Sequence, residues 1–97
     1  MQELNQIVVL YAKPGREVAL RANLAALVAP SRIESGNLRY EAYIDAGDAR
    51  RFIFIERWAS AEAQQDHHNS SDHVRFFFTK TGMRMWNDAK SFTCWNL

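Results

Sequence analysis

The sequence predicts an α+β fold of the ferredoxin-like, split βαβ kind, in which a four-stranded antiparallel sheet carries helices on one face. Three observations carry that expectation. Strand-like and helix-like segments follow one another in the order β-α-β-β-α-(α)-β. The two middle strands are separated only by AGDAR, residues 46–50, which suits a hairpin. The chain has 97 residues, one domain's worth, with no repeat, no low-complexity run and no composition break to mark a second domain.

Residues 4–12, LNQIVVLYA, are rich in β-branched and aromatic types and read as the first strand. KPGR at 13–16 is a turn signal. From Arg16 the period becomes helical, with Leu20, Leu24, Leu27 and Val28 on one face. Pro30 falls inside this run, so a kink or short break is expected before Ser31–Ser35, with Gly36 as a left-handed cap. Residues 38–45, LRYEAYID, alternate with a period of two and form the second strand; 51–58, RFIFIERW, form the third. Ser60 suits an N-cap and Glu62 a first helical turn, so a helix runs to about residues 66–68. NSSD breaks it, Ser71 or Asp72 caps a further helix through HVRFFFTKTGMRM, and KSFTCWNL, 90–97, closes the sheet.

Twelve basic against eleven acidic residues leave a net charge of +1 and no evident polyanion footprint, which argues against a nucleic-acid partner. The longest apolar run falls far short of the roughly 20 residues of a membrane span. The N-terminal MQELNQIVVLYAKPG lacks the basic region and cleavage site of a signal peptide, and the lone Cys94 fits a reducing compartment, so the cytoplasm is expected.

Strands 4–12 and 51–58 are apolar on both faces: Val8 and Leu10 oppose Ile7, Val9 and Tyr11, and Phe52 and Phe54 oppose Ile53 and Ile55. Helices on one face cannot cover both. The second face is expected to pack against its copy in a homodimer, sheet on sheet, with Phe92–Leu97 and Trp95 near the seam.

All three histidines lie in DHHNSSDH: His67, His68 and His73. Together with LVAPSRIESGNLRYEAYID and FIFIERWASAEA, and above all Glu34–Tyr40 and Glu56-Arg57-Trp58, this segment resembles the antibiotic biosynthesis monooxygenase (ABM) family. The resemblance covers nearly the whole chain, so residues 1–97 are expected to form one ABM-type domain, and it implies the dimeric α+β barrel, with a pocket between sheet and helices. It also implies a choice of chemistries: cofactor-free oxygenases of hydroquinones and anthrones, haem-degrading relatives and an isomerase of a phosphorylated sugar. The family pattern places four residues between two histidines. Here five separate His67 from His73 and four separate His68 from His73. Counting from Trp58 favours His67, with the extra residue in the NSS loop, but both stay in play.

A cofactor-free oxygenase needs a base near neutral pKa, a donor for the oxyanion and a dry apolar pocket. His67 or His73 could be the base, with Tyr40, Trp58 and Asn37 orienting or donating. Phe54, His68, Phe77, Phe78 and Trp86 could line the pocket. A phosphorylated isomerase substrate would instead want a clamp from Arg39, Arg57 or Arg75. Plainer roles stand beside these. The histidines could merely meet a helix dipole, Trp58 and Tyr40 could be core, and Glu56 and Arg57, on opposite strand faces, could each sit in an interface or surface ion pair. A metal is not expected, because His67 and His68 diverge by about 100° on a helix and His73 lies beyond a break. No C-x-x-C-H haem motif is present. The expectation is a cofactor-independent monooxygenase of a phenolic or quinol-like molecule, with an isomerase of a small carbonyl compound or a non-catalytic binding module as alternatives.

Overall fold

A computed structural model of the chain describes residues 2–96, and the side chains of all of these except 79–84, 87 and 88. Eight elements follow in order: β1 (Leu4–Ala12), α1 (Glu17–Ala25), α2 (Val28–Arg32), β2 (Asn37–Asp45), β3 (Asp48–Trp58), α3 (Ala61–Ser70), α4 (Asp72–Met85) and β4 (Trp86–Cys94). The strands form one antiparallel sheet in the order β2-β3-β1-β4, the ferredoxin-like arrangement.

Several boundaries differ from the sequence expectation: α3 runs on to Ser70, past the expected end at 66–68, β4 ends at Cys94 rather than 97, with Leu97 outside the described residues, and three further differences have a local reason. The first helical run breaks at Ala26–Leu27 rather than at Pro30. Pro30 sits in the first turn of α2, where a backbone N–H has no intrahelical acceptor, so its absence costs nothing. The hairpin between β2 and β3 is tighter than AGDAR, because Asp45 already pairs with Asp48. Its turn is held by Asp45 Oδ2, which accepts from the Gly47 N–H at 2.9 Å. β4 begins at Trp86, four residues before the expected start, and is tied to β1 through the Lys13 N–H, which donates to the Met85 carbonyl at 2.8 Å. Ser60 caps α3 as expected, its hydroxyl accepting from the Ala63 N–H at 3.2 Å. Ser71 is the N-cap residue of α4 but gives that helix no side-chain bond; its hydroxyl is used elsewhere.

The helices cover one face of the sheet. Leu4, Leu10 and Ala12 of β1, Phe52, Phe54 and Trp58 of β3, Leu20 and Leu24 of α1 and Val74 and Phe77 of α4 form the core. Burying one leucine of this kind is worth about 1.5–3 kcal/mol. The opposite face carries Ile7, Val9, Ile53, Ile55, Tyr43 and Phe92, whose register places them on one side. In the single chain Ile7 is 36% exposed, Tyr43 46% and Phe92 51%. Among the described residues no helix is long and apolar enough to cross a membrane.

The helix-facing side is not uniformly apolar. Tyr40, Glu56, Gln6 and Thr93 lie side by side across the four strands, one residue per strand. Tyr40, Glu56 and Gln6 of that row are buried and line one side of the site.

Candidate active site

Gly36 positions the site. Its φ of +83° is the left-handed conformation that glycine adopts without strain, and a Cβ there would stand 2.6 Å from the Ala63 Cβ. The loop before β2 therefore lies directly on the start of α3. The Ala59 N–H donates to the Gly36 carbonyl at 2.7 Å, and the Asn37 N–H to the Glu34 carbonyl at 3.1 Å, which holds the loop to the end of β3.

This delivers the Glu34 side chain to the α3–α4 junction. His67 Nδ1 and His73 Nε2 both lie 2.7 Å from Glu34 Oε1, and the Ser71 hydroxyl donates to Oε2 at 2.7 Å. Ser31 Oγ is 3.1 Å from His73 Nε2. Burial alone would raise the Glu34 pKa, but the Ser71 and His67 hydrogen bonds and the two histidine charges outweigh it and hold the carboxyl below its ordinary value. An ionised carboxylate only accepts hydrogen bonds, so both facing ring nitrogens carry their protons. Burial, against the opposing pull of Glu34, lowers the His67 pKa. His67 is thus neutral near pH 7, protonated at Nδ1, with a lone pair at Nε2, a tautomer assigned from this network.

The His67 ring packs 4.8 Å from Trp58 and 5.3 Å from Tyr40, centroid to centroid. It borders a cavity of about 240 Å³ between sheet and helices. The apolar walls include Val8, Phe54, Phe77, Phe78 and Trp86. The polar groups are Gln6, Tyr40, Glu56, Gln64, His67, His68 and Ser91. A cavity of about 150 Å³ in another protein holds benzene, so this one has room for a substituted ring. Burial pushes the Tyr40 hydroxyl above its ordinary pKa, against a hydrogen bond with Ser31, so it stays protonated. Glu56 is buried, and Trp58 Nε1–H donates to its Oε1 at 3.0 Å. Burial pushes its carboxyl up to about 7, against the Trp58 hydrogen bond and with help from the Glu34 charge.

The expected site residues divide. Tyr40, Phe54, His67, His68, Phe77, Phe78 and Trp86 line the cavity. His73 stands behind His67 on the same carboxylate oxygen. Trp58 is fully buried and touches the site through its N–H on Glu56 and its ring on His67. Asn37 does not reach the cavity; its Nδ2 donates to the Arg39 carbonyl at 3.2 Å. Arg39 is not a pocket residue either: strand alternation sends it to the other sheet face, where it pairs with Glu41. Arg57 points the same way and pairs with Glu3, and Arg75 is exposed beside Asp72, so none of the three arginines lines the cavity as a phosphate clamp would. His67 and His68 separate as their helical spacing requires, His67 inward on Glu34 and His68 toward Phe78, with ring centroids 6.0 Å apart.

The sequence reading missed Glu34 as the hub and Glu56 as a cavity group. Alternation could have found Glu56, which shares its strand face with Phe52, Phe54 and Trp58. Glu34, His67 and His73 bring ligand-type atoms within 4.8 Å of one another, a grouping that a reading of the histidines alone does not contain. Their 2.7 Å contacts are direct hydrogen bonds, and that is how we read the trio.

Comparisons with known proteins follow the same lines. A sequence profile described as antibiotic biosynthesis monooxygenase matches residues 4–79. A Bacillus subtilis (strain 168) protein named "Putative monooxygenase YcnE" is 31% identical over 68 residues, 70% of each chain. Among solved structures, PA3566 from Pseudomonas aeruginosa superposes with a TM-score of 0.93 at 33% identity, covering 100% of this chain and 96% of that one. Rv0793 from Mycobacterium tuberculosis gives 0.88 at 25% identity, covering 98% and 95%.

Proposed function

This chain belongs to the antibiotic biosynthesis monooxygenase family, and on that premise we propose that it is a cofactor-independent monooxygenase of a small phenolic or quinol-like molecule. The observation that carries the reading is the Glu34–His67 pair beside an aromatic-walled cavity. Glu34 fixes the imidazole with its proton on Nδ1, which leaves Nε2 to take a proton from a substrate hydroxyl. The Tyr40 hydroxyl donates to the oxyanion that results. Phe54, Phe77 and Trp86 stack on the ring and keep water away from an electron-rich anion that passes one electron to O2. His73 and Ser71 position Glu34, and Trp58 backs His67.

The same base and donor would serve an isomerisation, but a phosphorylated substrate finds no arginine among the described residues of the cavity wall. We assign the outer sheet face to a second copy of the chain, because Ile7, Tyr43 and Phe92 otherwise stand in water together. Wild type is expected to sediment as a dimer and Ile7→Glu as a monomer; an 11.2 kDa wild-type species at micromolar concentration removes the dimer. The lone Cys94 supports a cytoplasmic location.

The test of the activity is oxygen uptake by purified protein over a panel of hydroquinones and anthrones. Uptake above the uncatalysed rate is expected. Turnover that persists under strict anaerobiosis would assign the cavity to isomerisation. A compound that raises the melting temperature and is recovered unchanged, with no uptake across the panel, would make the protein a binding module.

A further inference from the structure

We propose that Glu56 is the catalytic acid of this cavity, the group that protonates the peroxide oxygen which leaves as water. The inference rests on the monooxygenase reading above and adds a residue to it.

The geometry comes first. Glu56 lies on the helix-facing side of β3, opposite Gln6 on β1 and Tyr40 on β2, and its side chain forms part of the cavity wall. It is only 6% exposed, an unusual place for a carboxyl with no cation beside it among the described residues. Among the described residues, the groups beside it are Tyr40 from β2, Gln6 from β1, Trp58 from its own strand and, as a nearby negative charge, Glu34 from the loop before β2, while His67 from α3 lines the same cavity. None of these would keep it ionised through a salt bridge. The Trp58 N–H engages Oε1 and fixes the orientation of the carboxyl. Near neutral pH a large share of Glu56 is protonated, unlike an ordinary glutamate, while burial holds His67 in its neutral, proton-accepting form. Two groups on one cavity whose environments push them apart in this way divide the acid and base roles.

The reaction balances with these two groups and O2. The substrate hydroxyl gives its proton to His67 Nε2. The phenolate gives one electron to O2, and the radical and superoxide join at a ring carbon that bears hydrogen, forming a C–O bond and a peroxide anion. Glu56 gives its proton to the terminal peroxide oxygen. The ring C–H proton then passes to the Glu56 carboxylate as the carbon–oxygen double bond forms and the O–O bond breaks. The departing hydroxide takes the proton held by His67. One oxygen atom ends in the quinone and the other in water. Both side chains return to their starting states, and all four electrons come from the substrate.

The experiment uses anthrone as the probe, whose quinone forms only when oxygen is inserted, and measures O2 consumed, quinone formed and total peroxide. Wild type should give about one quinone per O2. Glu56→Gln keeps an acceptor for the Trp58 N–H but cannot supply the proton. It should still consume O2, with quinone per O2 lowered about tenfold or more and the difference recovered as peroxide. Glu56→Asp should recover part of the yield. Equal yields from wild type and Glu56→Gln would overturn the assignment alone, while no O2 uptake by wild type would overturn the monooxygenase reading and this one with it. A readout free of turnover is the carboxyl carbon resonance in glutamate-labelled wild type. One glutamate should titrate near neutral pH and vanish in Glu56→Gln, and a Glu56 that titrates in the ordinary carboxylate range overturns the proposal even if the variants fail to fold.

Discussion

His67 Nδ1 stands 2.7 Å from Glu34 Oε1, across a sequence separation of 33 residues. The contact sets the tautomer of the imidazole and so decides which nitrogen keeps a lone pair to act as a base. Glu34→Gln preserves the shape and removes the charge. We expect kcat to fall by about 10²-fold or more with KM little changed, since the amide no longer enforces the Nδ1–H tautomer or stabilises the protonated imidazole, while the apolar walls remain. Steady-state kinetics on the best compound of the hydroquinone panel checks this. An unchanged kcat would take the pair out of the chemistry.

The same groups give stability a two-sided pH dependence. Glu34 is held below its ordinary pKa, so the unfolded chain binds more protons than the folded one; its contribution is present above the ordinary carboxylate range and is lost as pH falls through the folded value. His67, lowered mainly by burial, has the same sign, and the fold loses stability as pH falls below about 6.5. Glu56 has the opposite sign. Its carboxyl moves from 4.5 to about 7, so the folded chain binds more protons in that window and stability declines as pH rises through it, by roughly 3 kcal/mol. Thermal melts across pH should therefore show a maximum on the mildly acidic side of neutral. Glu56→Gln should remove the decline toward alkaline pH, and an identical profile for wild type and variant would contradict the burial of that charge.

Gly36→Ala tests the loop that delivers Glu34. The left-handed backbone costs a non-glycine residue about 1–2 kcal/mol, and the new methyl meets Ala63 at 2.6 Å. The melting temperature should drop by about 5–10 °C or more. Gly15, also at positive φ but with nothing within 4 Å of a Cβ, should lose less on the same substitution. Equal losses at the two glycines would mean that the Ala63 contact is unimportant.

Much of the fold is legible in the sequence because it depends on local pattern. The alternation in 38–45 and 51–58, the period of α1 and the Ser60 cap each state their element directly. The misplaced break at Pro30 shows the limit of a breaker rule: proline interrupts a helix interior and is welcome in a first turn, and only the structure says which it occupies. The site is less legible for a different reason. His67, His73 and Ser71 converge on Glu34, and Ser31 on His73, through packing of three helices and a loop, and no spacing along the chain encodes that meeting. Arg39 and Glu56 were within reach. Strand parity sends Arg39 away from the cavity and Glu56 into it, and charge alone suggested the reverse.

The measurement that bears most directly on the proposed chemistry is the fate of isotopically heavy O2 during turnover of the best hydroquinone or anthrone, read by mass spectrometry of the product, with His67→Ala alongside. The predicted result is one heavy oxygen atom in the wild-type product and its loss, with O2 uptake, in the variant. An unlabelled product, or labelling that His67→Ala leaves intact, would contradict a monooxygenase built on the Glu34–His67 pair.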